Sequence, residues 1–203
     1  MMRYWLALLV VALALAAVAC QGENGDEDGI EATPESQATP LTLPTPAGTP
    51  IISDSQFEFP DRGYSVRIPD GWSPDANFFG TPFSNIDAFF APSEEAGVKP
   101  NITVTCEVIE EGTALDAYFE PKRELVKELT GTEAGVRQTQ VDGREAFIAE
   151  YSPTKEPPKV DRTDIVFVNE GRGWTISLVT PEGQRAVYEP ILDDFIASFH
   201  LLP

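Results

Sequence analysis

This chain has little of what most catalytic and metal sites are built from. Its 203 residues include one histidine and two cysteines. So few imidazoles and thiols exclude the usual zinc sites, Cys–His catalysis and redox pairs. A Ser-His-Asp triad would have to use His200, and no Gly-x-Ser-x-Gly elbow precedes it. Gly171-Arg172-Gly173 lacks the spacing and the following helix of a phosphate loop, and no EF-hand loop occurs. No catalytic set, cofactor or metal site is therefore expected. Positive charge is scarce as well: 14 Lys and Arg stand against 33 Asp and Glu, a net charge of −19. Such a field disfavours nucleic acids and anionic lipid surfaces as partners.

Long apolar runs are equally rare, and the one present is at the N-terminus. Residues 1–18 carry one charge, Arg3, ahead of a run of Leu, Ala and Val that ends in Ala17-Val18-Ala19-Cys20. A short basic region, an apolar stretch and a small-residue cleavage site describe a secretory signal peptide. From Trp5 to Ala19 the run is shorter than the roughly 20 residues a membrane-spanning helix needs. With cysteine after the small residues, residues 1–19 read as a lipoprotein signal and Cys20 as the acylated new N-terminus. Acyl chains contribute about 0.8 kcal/mol per buried methylene, so two or three hold a protein firmly on a bilayer. The expected location is the cell envelope, with the domain outside the cytoplasm. The membrane is the cytoplasmic one, or the outer membrane if the cell has one.

Residues 20–50 are acidic and rich in Thr and Pro. They hold six acids (Glu23, Asp26, Glu27, Asp28, Glu31, Glu35) and no Lys or Arg. Too little apolar surface is present to offset the ordering entropy, so this stretch reads as a disordered tether with a polyproline bias. Residues 51–203 then form one domain. It has 13 basic and 27 acidic residues, a net charge of −14. With Cys20 lipidated, Cys106 has no disulfide partner. The alternation Ile102-Thr103-Val104-Thr105-Cys106-Glu107-Val108 places it with Ile102, Val104 and Val108 on the buried face of a strand.

Strands are predicted over 56–59 and 64–68 around Asp61-Arg62-Gly63, then over 86–90 and 101–109. Thr113 reads as a helix N-cap, and Pro121 as a stop or the first turn of a new helical segment running to Thr130. Strands over 136–141 and 145–151 flank Asp142-Gly143, a hairpin signal. Strands over 164–168 and 174–180 flank a five-residue loop, 169–173. Thr180-Pro181 reads as the cap and first position of a final helix carrying Tyr188, Ile191, Leu192, Phe195 and Phe199. Strands joined by hairpins and accompanied by two helical segments make an α+β domain, an antiparallel sheet covered by helices on its faces.

The stretch Gly63-Tyr64-Ser65-Val66-Arg67-Ile68-Pro69-Asp70-Gly71-Trp72 contains the pattern Tyr-x-Val-x-x-Pro-x-Gly-Trp. With the middle helix after an Asn-led strand, the Asp-Gly strand pair and the closing Phe195-Ile196-Ala197-Ser198-Phe199, it resembles the PsbP-like superfamily. The resemblance covers about residues 57–201. It implies an α/β/α sandwich used as a binding or assembly module, mostly without enzymatic activity, and carries over no functional residue.

The residues with a functional tilt are aromatic. Trp72, Phe78, Phe79 and Phe83 lie in or beside an irregular loop, 73–84, that can bury itself over the sheet or hold a ligand or partner. The expected function is a lipid-anchored, non-enzymatic binding or assembly domain with a protein partner. Alternatives are a small-ligand or divalent-cation binder and, more weakly, a carboxylate-dependent hydrolase.

Overall fold

The computed structural model describes residues 50–75, 85–92, 98–154 and 158–203. Cys20, Phe78, Phe79 and Phe83 lie outside them, as do the signal and all of the tether before residue 50.

The elements run β1 (Ile51–Ser53), β2 (Gln56–Phe59), a 3-10 turn (Pro60–Arg62), β3 (Tyr64–Arg67), β4 (Ser73–Pro74), β5 (Ile86–Phe90), β6 (Asn101–Val108), α1 (Leu115–Thr130), β7 (Gly135–Val141), β8 (Arg144–Tyr151), β9 (Val160–Asn169), β10 (Arg172–Pro181), α2 (Arg185–Ala197) and β11 (His200–Leu201). All pairings are antiparallel. A small sheet has the order β1-β2-β3-β11, and a seven-stranded sheet the order β4-β5-β6-β10-β9-β8-β7.

Turn chemistry sets the hairpins. Asp142 (φ +47°) and Gly143 (φ +74°) join β7 to β8, two positive-φ residues whose twist matches the flanking strands. Between β9 and β10 the loop is two residues, Glu170 and Gly171, again both at positive φ. The expected five-residue loop is too long, since strand pairing continues to Arg172↔Asn169. β1 and β2 turn through Asp54 and Ser55, both in the left-handed region. Neither is glycine, so the turn and the strand before it carry no sequence signal.

Strands 8 and 9 read as continuous apolar runs, Ala146-Phe147-Ile148-Ala149 and Ile165-Val166-Phe167-Val168, because both faces of the large sheet are covered. Ala146, Ile148, Ile165 and Phe167 join the main core with Trp174, Ile176 and Leu178 of β10, Phe57, Phe59, Tyr64 and Val66 of the small sheet, and Leu192 and Phe195 of α2. On the other face Ala149 and Val166 pack with Tyr118 and Phe119 of α1, flanked by Phe147 and Val168. The architecture is sheet-dominated: the small sheet covers much of the main face, so helices alone do not make the two outer layers.

Several expectations are corrected. α1 is one helix that contains Pro121. The ring removes the N–H that would bond the Ala117 carbonyl, but Ala117 and Pro121 are both exposed, where water meets that oxygen, and Tyr118, Phe119 and Val126 bury on both sides of the proline. Thr113 does not cap: its hydroxyl donates to the Glu110 carbonyl at 2.6 Å, and the N-cap position is Ala114. Thr180 and Pro181 end β10, where Pro181 still pairs with Val160, and α2 starts four residues later. Val108 is 86 % exposed. It pairs with Arg172 at the hairpin end of the sheet, beyond the covering layer, whereas Ile102 and Val104 are buried and Cys106 is half-buried.

Candidate functional site

Among the described residues, titratable side chains gather in clusters that join elements of the fold, Tyr151 with Asp164 and Arg162 among them, and in one cleft. The 3-10 turn delivers Arg62, β3 begins with Tyr64, and β5 places Asp87 in the row Asp87–Val104–Ile176–Ile165–Ile148 on the core face of the large sheet. Arg62 Nη1 lies 2.9 Å from Asp87 Oδ2, and the Tyr64 hydroxyl donates to the same oxygen at 2.6 Å. Arg62 also sits over the Phe59 ring, 4.8 Å from its centroid, and its carbonyl accepts from Arg172 Nη1. Burial pushes the Asp87 carboxyl up to about 6 against the opposing pull of Tyr64 and Arg62. The Tyr64 phenol is raised well above its usual value, first by burial and then by the Asp87 charge. This cluster clamps the small sheet to the large one.

On the opposite face the Tyr118 hydroxyl donates to Glu107 Oε2 at 2.8 Å, with Lys122 Nζ 3.4 Å from the same oxygen. A glycine is needed opposite, because a Cβ on Gly173 would run into the Tyr118 ring. At the start of α2, Asp161 accepts from the Ser152 hydroxyl and the Gly183 N–H, and Arg185 donates to the carbonyls of Tyr151 and Arg162. Burial pushes Asp161 up, yet those bonds and the Arg185 charge hold it below the ordinary carboxylate range.

The cleft opens where α2 ends against the small sheet. It measures about 240 Å³ and is lined by Gln56, Arg67, Asp194, Ala197, Ser198 and His200. Gln56 and Arg67 are direct cross-strand partners. His200 pairs with Ser65, two residues before Arg67, so strand alternation puts all three side chains on one face of the sheet. Ser198 anchors the junction: its hydroxyl accepts from the Arg67 N–H at 3.0 Å and donates to the Phe195 carbonyl at 2.8 Å. His200 Nδ1 lies 3.2 Å from Asp142 Oδ1, and the Leu201 N–H donates to Asp142 Oδ2 at 3.0 Å. The Leu201 amide chiefly holds the Asp142 carboxyl below its usual range. Asp142, His200 and Ser198 are thus neighbours, but the Ser198 hydroxyl bonds to backbone on both sides. No bond between it and His200 is formed, so the nucleophile–base link of a hydrolase is not assembled.

The chain is similar in fold to solved structures. It superposes on cyanobacterial PsbP (CyanoP) from Synechocystis sp. PCC 6803 with a TM-score of 0.51, covering 80 % of this chain and 99 % of that one at 21 % identity. The domain has the PsbP fold. A protein from Bacteroides thetaiotaomicron also matches (TM-score 0.50, 13 % identity, 77 % of this chain), and this chain spans about half of its length, 49 %. No protein-family profile and no curated protein sequence matches the chain.

Within the PsbP fold, Trp72 of the aromatic stretch is described. It is 8 % exposed and meets Tyr188 of α2 edge-on at 6.3 Å. Cys106 is free, and its thiol is pushed up to about 11, chiefly by burial and despite Arg172 and Arg62, away from thiolate chemistry. Glu110, Glu111, Asp193 and Asp194 are exposed. Among the described residues no three His, Cys, Asp or Glu side chains are grouped to hold a metal ion, and no helix is long and apolar enough to cross a membrane. Sequence reasoning missed Arg67, Gln56 and Ser198. The signal was Arg67, a base at an outward position of a strand in a chain short of bases. Arg62 and Asp87 were missed as a pair, although an acid inside the apolar run 86–90 marked the second.

Proposed function

We propose that this chain is a non-enzymatic binding or assembly module of PsbP fold, held outside the cytoplasm by lipid on Cys20, with a protein as its partner. The observation that carries the reading is where the described acids and bases go. The clusters bond one element of the fold to another: Arg62 and Tyr64 to Asp87 between sheets, Tyr118 to Glu107 between α1 and β6, Tyr151 to Asp164 between β8 and β9, and Arg185 to the carbonyls of Tyr151 and Arg162. Among the described residues, none of these clusters lines the cleft at the end of α2, whereas a catalytic acid or base is placed beside the cavity that holds its substrate. A cleft of about 240 Å³ is also smaller than the roughly 300–1,000 Å³ of sites that enclose a metabolite. That favours a protein partner over a small ligand.

The anchor and the partner are tested together. Metabolic labelling with a tagged fatty acid should mark the full chain but not a Cys20→Ser variant, and the variant should leave the membrane fraction. Cross-linking in intact cells, followed by mass spectrometry, should recover one protein reproducibly at a fixed ratio. An unlabelled Cys20 on protein from the cytosol refutes the anchoring, and a cross-linked set that changes from preparation to preparation refutes the assembly role.

A further inference from the structure

In a chain with 33 acids and 14 bases, a cation without a partner is against the odds. Seven of the eight described arginines give their guanidinium to a carboxylate, a side-chain amide or a backbone carbonyl. Among the described residues Arg67 alone does not, and its side chain lines the cleft at the end of α2. Its backbone N–H is fixed to Ser198, so the strand is held while the head group is left over.

We propose that this cleft binds a carboxylate group, taken by the Arg67 guanidinium with the Gln56 amide beside it. A guanidinium presents a planar pair of N–H donors that matches a carboxylate. Gln56, the cross-strand partner of Arg67, adds an N–H₂ on the same face. His200, steadied through Nδ1 by Asp142, keeps Nε2 as the remaining polar atom of its ring. Two features select against a more highly charged anion such as phosphate: the Asp194 carboxylate lines the cleft, and α2 ends there, at Ala197 and Ser198, directing the negative end of its dipole toward the site. A singly charged planar group tolerates both. The volume admits the acid group and little of what carries it, so a polypeptide carboxylate and a free small acid share the chemistry. The inference rests on the binding reading above only for the source of that carboxylate.

The test is a titration of ¹⁵N-labelled full chain in detergent, followed by NMR. The probes are N-acetylglutamic acid α-amide, its neutral glutamine analogue, acetate and inorganic phosphate. The glutamic acid probe should move the Arg67 side-chain and Ser198 amide signals saturably, and the neutral analogue should not. Arg67→Gln should weaken binding at least tenfold with the rest of the spectrum unchanged, and Gln56→Leu, which keeps the guanidinium, about threefold. Arg123→Gln, on α1 at the opposite face of the large sheet, should bind as the parent does. Tighter binding of the glutamic acid probe than of acetate supports a polypeptide source, and equal binding supports a free acid. Absence of saturable shifts with either carboxylate, shifts that survive Arg67→Gln, or tighter binding of phosphate overturns the proposal. Saturable binding in a chain that yields no reproducible cross-link refutes the assembly role and leaves the carboxylate site standing.

Discussion

The two faces of the seven-stranded sheet are held by different physics. On the main face, eight aromatic side chains at 2 % exposure or less (Phe57, Phe59, Tyr64, Phe89, Phe167, Trp174, Phe195, Phe199) interlock. Trp174 lies parallel to Phe167 at 5.9 Å and edge-on to Tyr64 and Phe199. Burial of such rings contributes about 1.5–3 kcal/mol each and scales with area. On the α1 face the cluster consists of four buried residues, Tyr118, Phe119, Ala149 and Val166, and a half-exposed Glu107–Tyr118–Lys122 link fixes its position. The lesson is that one face depends on volume and the other on fit.

The largest effect should come from Trp174→Ala. It opens a cavity in the thick layer and is expected to cost about 3–5 kcal/mol, read as a shift in the urea midpoint. A loss below about 1 kcal/mol would show that the aromatic layer does not dominate. Gly173→Ala, one residue away but facing α1, adds a single methyl against Tyr118. It should cost about 1–3 kcal/mol through overpacking. Hydrogen exchange should then quicken in α1 while β10 and β6 stay protected. Equal loosening on both faces would erase the distinction.

The smallest effect tests the charge buried in the main face. Asp87 titrates near 6 in the folded protein and near an ordinary 3.8 when unfolded, so between those values the native state binds the extra proton. Its stabilising contribution is therefore complete below the unfolded value and is lost as pH rises through about 6. Going from pH 7 to pH 5 should favour the parent over Asp87→Asn by on the order of 1 kcal/mol, measured as the change in their stability difference. A difference independent of pH would show that Asp87 is not held in its buried, proton-favouring environment.

Much of this fold is legible from local chemistry. Asp142-Gly143 marks its hairpin because both residues tolerate positive φ, and strands 86–90 and 56–59 stand out by their apolar spacing. Where local rules failed, a longer-range contact had overruled them. Pro121 reads as a helix break until Tyr118 and Val126 are seen to bury on either side of it. Val108 reads as core until the covering layer is seen to end before it. The cleft was illegible for the same reason, since Gln56, Arg67 and His200 meet through strand pairing across as many as 144 positions.

By itself, the order of residues determined the antiparallel strands, the two helical stretches, the scarcity of metal-binding and catalytic side chains, and the lipoprotein-like N-terminal pattern. These depend on turn preference, periodicity and composition, which act over a few residues at a time. Tertiary structure alone decided which charges are paired, that Asp87 meets Arg62 inside the core, and that Arg67 is left over beside His200. Such pairings follow from which strands become neighbours, and that is settled by burying the aromatic layer as a whole.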